Sequence, residues 1–152
     1  TPGGDVAATM ATLPLILYTT SHHMGRQIAR HLAHQPLRLA ERFELDSYAA
    51  IMAMVAAGAG WTILTPLALH HARRFAAEAD VHPLPFAPLS RTISLTARRG
   101  ALDDLPATTA ARLRPLLHDL AVAPTLARLP WLAGALRLLG DGAPAPDAPA
   151  AG

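Results

Sequence analysis

Three short segments with hydroxyl side chains contain the residues of this sequence that are best suited to bind a ligand. They are Thr19-Thr20-Ser21, Ser47 and Thr65. The first two lead into stretches with helical spacing, and a helix N-terminus offers unpaired N–H groups and a partial positive charge that hold an anion. We therefore predict that these five residues bind a small anionic metabolite. The alternative interpretation is that the hydroxyls only cap the helices.

Two histidine pairs, His22-His23 and His70-His71, raise the question of a metal site. Adjacent residues point in different directions, whereas a metal-binding pair on a helix prefers i, i+4 spacing. No carboxylate lies at a supporting interval beside either pair. We predict no metal site and no cofactor, and leave open that the first pair meets an anionic ligand just past the hydroxyl segment.

The sequence lacks the motifs of the common catalytic sites. It has no G-x-S-x-G nucleophile elbow, no phosphate-binding glycine loop and no paired-carboxylate arrangement. Gly58-Ala59-Gly60 lacks a third glycine and follows a predicted helix, which is the reverse of the order in a dinucleotide-binding turn. Its predicted role is to end that helix. We therefore predict that the chain is not an enzyme.

The uncharged segment between Asp46 and Arg73 is long enough to span a membrane, but its pattern predicts a helix followed by a strand. One helical face holds apolar residues at i, i+3, i+4 and i+7, namely Tyr48, Ile51, Met52 and Val55. Residues 61–65 are rich in β-branched and aromatic types and are followed by a proline, which is typical of a buried strand. We expect Tyr48 and Trp61 to serve packing rather than ligand stacking.

The remaining patterns predict that strands alternate with helices. Further strands are predicted at 13–18, where both faces are apolar, at 37–45 and at 91–98. Further helices are predicted after Ser21, at 67–77, at 105–121 with a kink at Pro115, and at 126–139. The helix after Ser21 has an apolar face of Met24, Ile28 and Leu32, and the helix at 105–121 has a stripe of Leu113, Leu116, Leu117 and Leu120.

This alternation indicates an α/β fold with a parallel sheet, in which ligands bind beyond the carboxyl ends of the strands. The three hydroxyl segments follow predicted strands, so we expect them at one edge. The 152 residues fit one domain, and all 13 cationic residues are Arg, scattered among Asp and Glu with a net charge of +2. This pattern does not form a nucleic-acid-binding stripe. The absence of cysteine excludes disulfides and is consistent with a cytoplasmic location.

Three stretches in order resemble the effector-binding domain of LysR-type transcriptional regulators. They are LPLIL with its hydroxyl turn, FELDSYAAIMAMVAAGAGWTILTP, and TISLTARRG before a Leu-rich helix. The resemblance covers roughly residues 13–121. It implies a periplasmic-binding-protein-like fold of type 2, with two α/β lobes and a small-molecule cleft between them. The part present looks like the second lobe plus the last strand and helix of the first, which makes an incomplete two-lobe domain.

The resemblance also sets the expected domains and partners. We expect a linker at 1–12, the effector-binding domain at 13–121, an apolar extension at 122–139 and a disordered tail at 140–152. DNA would be bound only through a winged helix-turn-helix that this chain lacks, in a full-length protein that forms homo-oligomers away from the membrane. The alternatives are a transporter's solute-binding protein with the same fold, an enzyme on a similar lobe, or an isolated chain without activity.

Overall fold

A computed structural model describes residues 5–37, 39, 42–98, 100 and 102–140. The chain divides into two units, Thr1–Leu89 (unit 1) and Ser90–Gly152 (unit 2). Unit 1 contains four α-helices, two strands and a 3₁₀ turn among its described residues. In chain order these are α1 (Val6–Thr12), β1 (Leu15–Tyr18), α2 (His23–Ala33), β2 (Arg42–Leu45), α3 (Tyr48–Ala56), α4 (Pro66–His71) and the 3₁₀ turn Ala76–Glu78.

The two strands of unit 1 pair in parallel, with Leu15 opposite Arg42 and Tyr18 opposite Leu45. The chain passes from β1 to β2 through α2. A parallel pair requires such a crossover, because the end of the first strand and the start of the second lie at opposite edges of the sheet. This arrangement agrees with the α/β class predicted from the sequence. The sheet is small, since β1 and β2 are its two hydrogen-bonded strands within the described residues.

Strand β1 is buried on both faces, as its continuous apolar sequence predicts. Leu15, Ile16 and Leu17 are at most 1% exposed. Leu15 and Leu17 share a core cluster with Met24, Ile28 and Leu32, the predicted inner face of α2. Successive strand side chains point to opposite faces, so Ile16 faces away from that cluster. Helix α3 also packs against β1, which places helices around the strand.

The long uncharged segment folds back on itself. Helix α3 ends at Ala56, and Gly58 takes a positive φ of 75° in the turn that follows. Trp61 then forms a parallel bridge with Leu15, and its indole Nε1 donates to the Leu13 carbonyl at 3.1 Å. None of the described helices is long and apolar enough to cross a bilayer. The predicted helix, glycine turn and return are therefore confirmed.

The strand predicted at 61–65 is reduced to that single bridge. Thr65 already serves as the N-cap of α4, and Pro66 has no N–H to donate to a ladder, so the extended segment ends early. The helix predicted at 67–77 is likewise shorter: α4 ends at His71, and a 3₁₀ turn follows at Ala76–Glu78.

The segment expected to be a linker, residues 1–12, contains helix α1. Asp5 Oδ1 accepts hydrogen bonds from the N–H groups of Ala7 and Ala8, at 3.0 and 3.3 Å. Val6 and Met10, one helical turn apart, pack on the core cluster of unit 1. The many small residues in this segment favoured its interpretation as a linker, despite this N-cap and this pair of apolar residues. The domain boundaries themselves stay predictions.

Unit 2 is helical where it has regular structure. Helix α5 (Leu105–Leu117) continues as a π-helical turn (His118–Val122), followed by α6 (Ala123–Arg128) and a 3₁₀ turn (Pro130–Leu132). A helical stretch of the predicted length is therefore present, and it runs two residues past Pro115 before its hydrogen-bonding pattern changes. Val122 at the end of this stretch is buried, as are Leu129 and Leu132 beyond it. The expected disordered tail, 140–152, lies outside the described residues except for Gly140.

One prediction in unit 2, the strand at 91–98, is wrong. Residues 91–98 have no strand pairing in the described part of the chain, and Ile93 and Leu95 are exposed. The leucine stripe runs over α5 and the following π-helical turn and is exposed, with values between 41% and 66% for Leu113, Leu116, Leu117 and Leu120. Apolar periodicity favours a strand or a helix locally, but burial requires a partner surface that periodicity does not supply.

Candidate functional site

Parallel pairing brings the predicted ligand-binding residues toward one edge of the sheet. Thr20 and Ser47 each lie two residues beyond the last strand pair, Tyr18–Leu45. Trp61 forms a bridge with Leu15. Thr65 lies four residues beyond Trp61, and Thr19 lies four residues beyond Leu15. Because parallel strands advance in the same direction, the first two segments reach the carboxyl edge, and Thr65 ends a segment that starts parallel to β1 at the Trp61 bridge. We call the five residues at this edge the carboxyl rim: Thr19, Thr20, Ser21, Ser47 and Thr65.

The hydroxyl turn is held by its own side chains rather than used as a helix cap. Thr19 N–H donates to the Leu45 carbonyl at 2.8 Å, which extends the strand pairing by one residue. The Thr19 and Ser21 hydroxyls lie 3.2 Å apart, and Ser21 N–H donates to Thr19 Oγ1 at 3.3 Å. The N-cap of α2 is His22, which makes no side-chain capping bond. The capping interpretation is therefore wrong for this segment.

Helix α2 begins directly on the carbonyl groups at the end of β1. A Cβ atom added at Gly25 would lie 2.2 Å from the Tyr18 oxygen and 2.1 Å from the Thr19 oxygen. Such distances exclude any side chain unless the helix moves, so glycine permits this close approach. Gly25 thus sets how near the N-terminus of α2 comes to the carboxyl rim. No local sequence pattern indicates this role, because it depends on the contact between α2 and the end of β1.

Glu44, likewise absent from the predicted site residues, provides the rim with a carboxylate. Its Oε2 accepts hydrogen bonds from both the N–H and the hydroxyl of Thr20, each at 3.2 Å. Its Oε1 accepts from Arg42 Nη2 at 2.5 Å. The backbone hydrogen bond from Thr20 is the main cause that lowers the pKa of the Glu44 carboxyl, and Arg42 adds to it. In the sequence, a possible role of Glu44 at the site was indicated by its position near the end of a predicted strand.

A cation and three aromatic rings complete the surroundings of the turn. Arg26 Nη1 donates to the carbonyls of Thr20 and Ser21, at 3.2 and 2.8 Å. The Tyr18 ring stacks on Tyr48 with 4.3 Å between centroids, and the His22 ring tilts against it at 5.4 Å. The aromatic stack ties the end of β1 to the start of α3. Arg26 gives the rim positive charge beside the hydroxyls.

Ser47 and Thr65 both act as helix caps. Ser47 Oγ accepts from Ala50 N–H at 3.4 Å, and Thr65 Oγ1 accepts from Ala68 N–H at 3.2 Å. Each side chain is half-buried, so part of it still faces the solvent at the edge of the sheet. Ligand contact by either residue stays a prediction. Capping and ligand binding are compatible, because a hydroxyl has a donor and two acceptor lone pairs.

Other candidate sites are separate from the rim. No group of three His, Cys, Asp or Glu side chains among the described residues is placed to hold a metal ion. A cavity of about 210 Å³ lies between β1 and the second half of α2 and contains none of the predicted site residues. The residues that line it are Leu15, Leu17, Ala29, Leu32, Ala33, Gln35, Leu37, Leu39 and Arg42.

Comparison with known proteins identifies one family. The sequence matches the family described as LysR substrate binding domain over residues 4–117. This match covers most of the chain, including the carboxyl rim and α5. No curated protein and no solved structure matches the chain.

Proposed function

Since the chain belongs to the LysR substrate binding domain family, we propose that it is the ligand-sensing part of a LysR-type transcriptional regulator. The ligand is a small anionic metabolite, and it binds at the carboxyl rim. The residues that contact it come from the hydroxyl turn, Ser47 and Thr65. A periplasmic-binding-protein-like fold is what the family implies, with this rim facing the cleft between two lobes.

One observation carries the choice of this site: two donors of Thr20 converge on a single carboxylate oxygen. A backbone N–H and a hydroxyl that point at the same position form a binding site for a carboxylate or a similar anion, which accepts both hydrogen bonds. The N-terminus of α2 lies next to this point and has no side-chain cap, so its partial positive charge adds to the attraction. The guanidinium of Arg26 contributes in the same sense.

Regulation follows from the difference in ligand affinity between two arrangements of the full protein. A ligand that binds one arrangement more tightly increases its population, and the shift cannot exceed that difference in affinity. In our proposal the regulator acts in the cytoplasm as a homo-oligomer and contacts DNA through a separate winged helix-turn-helix. The chain itself senses the metabolite and catalyses no reaction.

The site can be tested by titrating the ¹⁵N-labelled chain with acetate, succinate, benzoate and inorganic phosphate at constant ionic strength. We expect at least one anion to shift the amide resonances of Thr20, Ser21 and Ser47. Amides of Ala33 and His34 should stay unchanged, because they lie at the other end of α2. Ser21→Ala should weaken the binding about three- to tenfold, which corresponds to the usual net value of a single hydrogen bond.

A matched control is Thr108→Ala, which removes an exposed hydroxyl from α5 and should leave the affinity as in the wild type. If anions shift amide resonances outside the carboxyl rim and leave the rim amides unchanged, the binding site lies elsewhere. Equal affinities of the wild type and Ser21→Ala would remove the Ser21 hydroxyl from it.

A further inference from the structure

We propose that Glu44 is a built-in competitor for the anionic ligand: its carboxylate occupies the two donors of Thr20, and a ligand carboxylate binds there by displacing it. This inference depends on the proposed function and adds to it a residue that sets the affinity of the site. In the structure the rim thus holds a carboxylate of the chain itself at the point where the ligand anion would bind.

The hydrogen bonds that hold Glu44 have the geometry of a replaceable contact. Both donor–acceptor distances are 3.2 Å, at the long end of the range for hydrogen bonds and longer than typical charge-assisted bonds to a carboxylate. About a third of the Glu44 side chain, 32%, is also exposed to solvent. Water can therefore reach its carboxylate as it leaves Thr20.

Arg42 gives the displaced carboxylate a partner. Its Nη2 bonds Oε1 of Glu44, the oxygen that does not contact Thr20. The two residues are separated by one position on β2, so their side chains lie on the same face of the strand. Glu44 can release Thr20 and keep its ion pair with Arg42. The turn keeps its shape meanwhile, because Arg26 holds the carbonyls of Thr20 and Ser21.

Competition lowers the apparent affinity in proportion to the fraction of molecules in which the donors are free. Removing the competitor should raise the affinity for every carboxylate that uses these donors, with no new contact formed. The effect should be specific to Glu44. Asp46 is also an exposed carboxylate and directly follows β2. Among the described residues, Asp46 makes no hydrogen bond to Thr20.

The experiment compares the wild type with Glu44→Ala, Glu44→Gln and Asp46→Asn in titrations with acetate, succinate and benzoate, followed by the Thr20 amide resonance. We expect Glu44→Ala to lower Kd about tenfold, since a hydrogen-bonded charge is lost as competitor. Glu44→Gln keeps the size and loses the charge, and should give a smaller decrease. Asp46→Asn should change Kd less than about threefold, because it alters only screened surface charge.

A double-mutant cycle separates competition from general repulsion. Thr20→Val removes the hydroxyl. In the Glu44→Ala background it should weaken carboxylate binding several-fold, because only the ligand loses that donor. In the wild type it should have much less effect, because ligand and competitor lose the same hydrogen bond. Equal effects of Thr20→Val in both backgrounds would overturn the proposal.

The remaining outcomes separate this inference from the function on which it depends. Carboxylates that bind the wild type but are no tighter in Glu44→Ala would refute the competition and leave the site intact. Equal tightening by Glu44→Ala and Asp46→Asn would do the same, since it indicates net charge alone. Weaker binding in Glu44→Ala would make Glu44 part of the site. No shift of the rim amides in any variant would overturn both proposals.

Discussion

Strand β1 in unit 1 and helix α5 in unit 2 are both rich in leucine or isoleucine, yet their environments are opposite. The first three residues of β1 are at most 1% exposed, whereas four leucines of α5 are 41% to 57% exposed. Both elements have the secondary structure that their sequences predict. The difference lies in what covers them: α2 and α3 pack against β1.

This contrast separates two properties that sequence patterns combine. The spacing of apolar residues sets which face of an element they share, and this depends only on local geometry. Whether that face is buried depends on another element at the right distance and angle, and its burial supplies most of the stability of a short helix. Unit 1 has both properties at β1. In α5 only the first is present.

The largest expected effect comes from the same substitution placed in the two regions. Leu32→Ala in α2 removes a side chain that is 5% exposed and should lower the free energy of unfolding by about 3 kcal/mol. Leu116→Ala in α5, at 53% exposure, should cost less than about 0.5 kcal/mol. Denaturant unfolding followed by circular dichroism measures both. Similar losses for the two variants would show that the α5 leucines are covered in solution.

A second comparison contrasts a glycine in a tight contact with one in an open turn. Gly25→Ala places a Cβ against two backbone carbonyls and should destabilise unit 1 by about 2 kcal/mol, because α2 must shift. Gly58→Ala meets no neighbouring atom and should cost about 1 kcal/mol, from its positive φ alone. Fluorescence of the buried Trp61 in a Trp131→Phe background reports the unfolding of unit 1.

The amide spectra provide the control for this pair. Gly25→Ala should shift the resonances of Thr19 and Thr20, and Gly58→Ala should leave them in place. If Gly25→Ala proves as stable as the wild type, with unchanged rim amides, the close approach of α2 to β1 is incorrect.

The smallest effect concerns the pH dependence of the Glu44 contact. The folded state lowers the pKa of this carboxyl, so its contribution to stability is present above the ordinary glutamate pKa of about 4.3 and is lost as the pH falls through the lower folded value. The difference in unfolding free energy between the wild type and Glu44→Gln should therefore shrink between pH 6 and roughly pH 3. It should be small throughout, since solvent screens an exposed group. A difference that grows on acidification would contradict the assignment.

Most elements of unit 1 could be predicted from the sequence because each has a local signal. The inner face of α2 follows from four-residue spacing, and the break after α3 follows from Gly58. Helix α1 has such a signal in Asp5 and the pair Val6 and Met10, although small residues surround it and favour the interpretation as a linker. The strand at 91–98 was wrong because a strand is completed only by hydrogen bonds from a partner far along the chain.

The candidate site was predictable only in part. The hydroxyl residues Thr19–Ser21 stand out because they follow an apolar run and precede a helical pattern. Glu44 and Gly25 do not stand out, since their roles depend on atoms brought close by folding. Glu44 is 24 positions from Thr20 in sequence and meets it through the register of β1 with β2. A helix cap can be recognised from neighbouring residues, whereas a cross-strand contact requires that register.

The sequence by itself determined where most helices and the two paired strands form, because capping, glycine turns and apolar spacing act within a few residues. It also determined membership of the LysR substrate binding domain family. Only the tertiary structure decided which apolar faces are buried, and only it placed the Glu44 carboxylate on the donors of Thr20. Burial and cross-strand hydrogen bonds join residues distant in the chain, and their geometry exists only after the elements have packed.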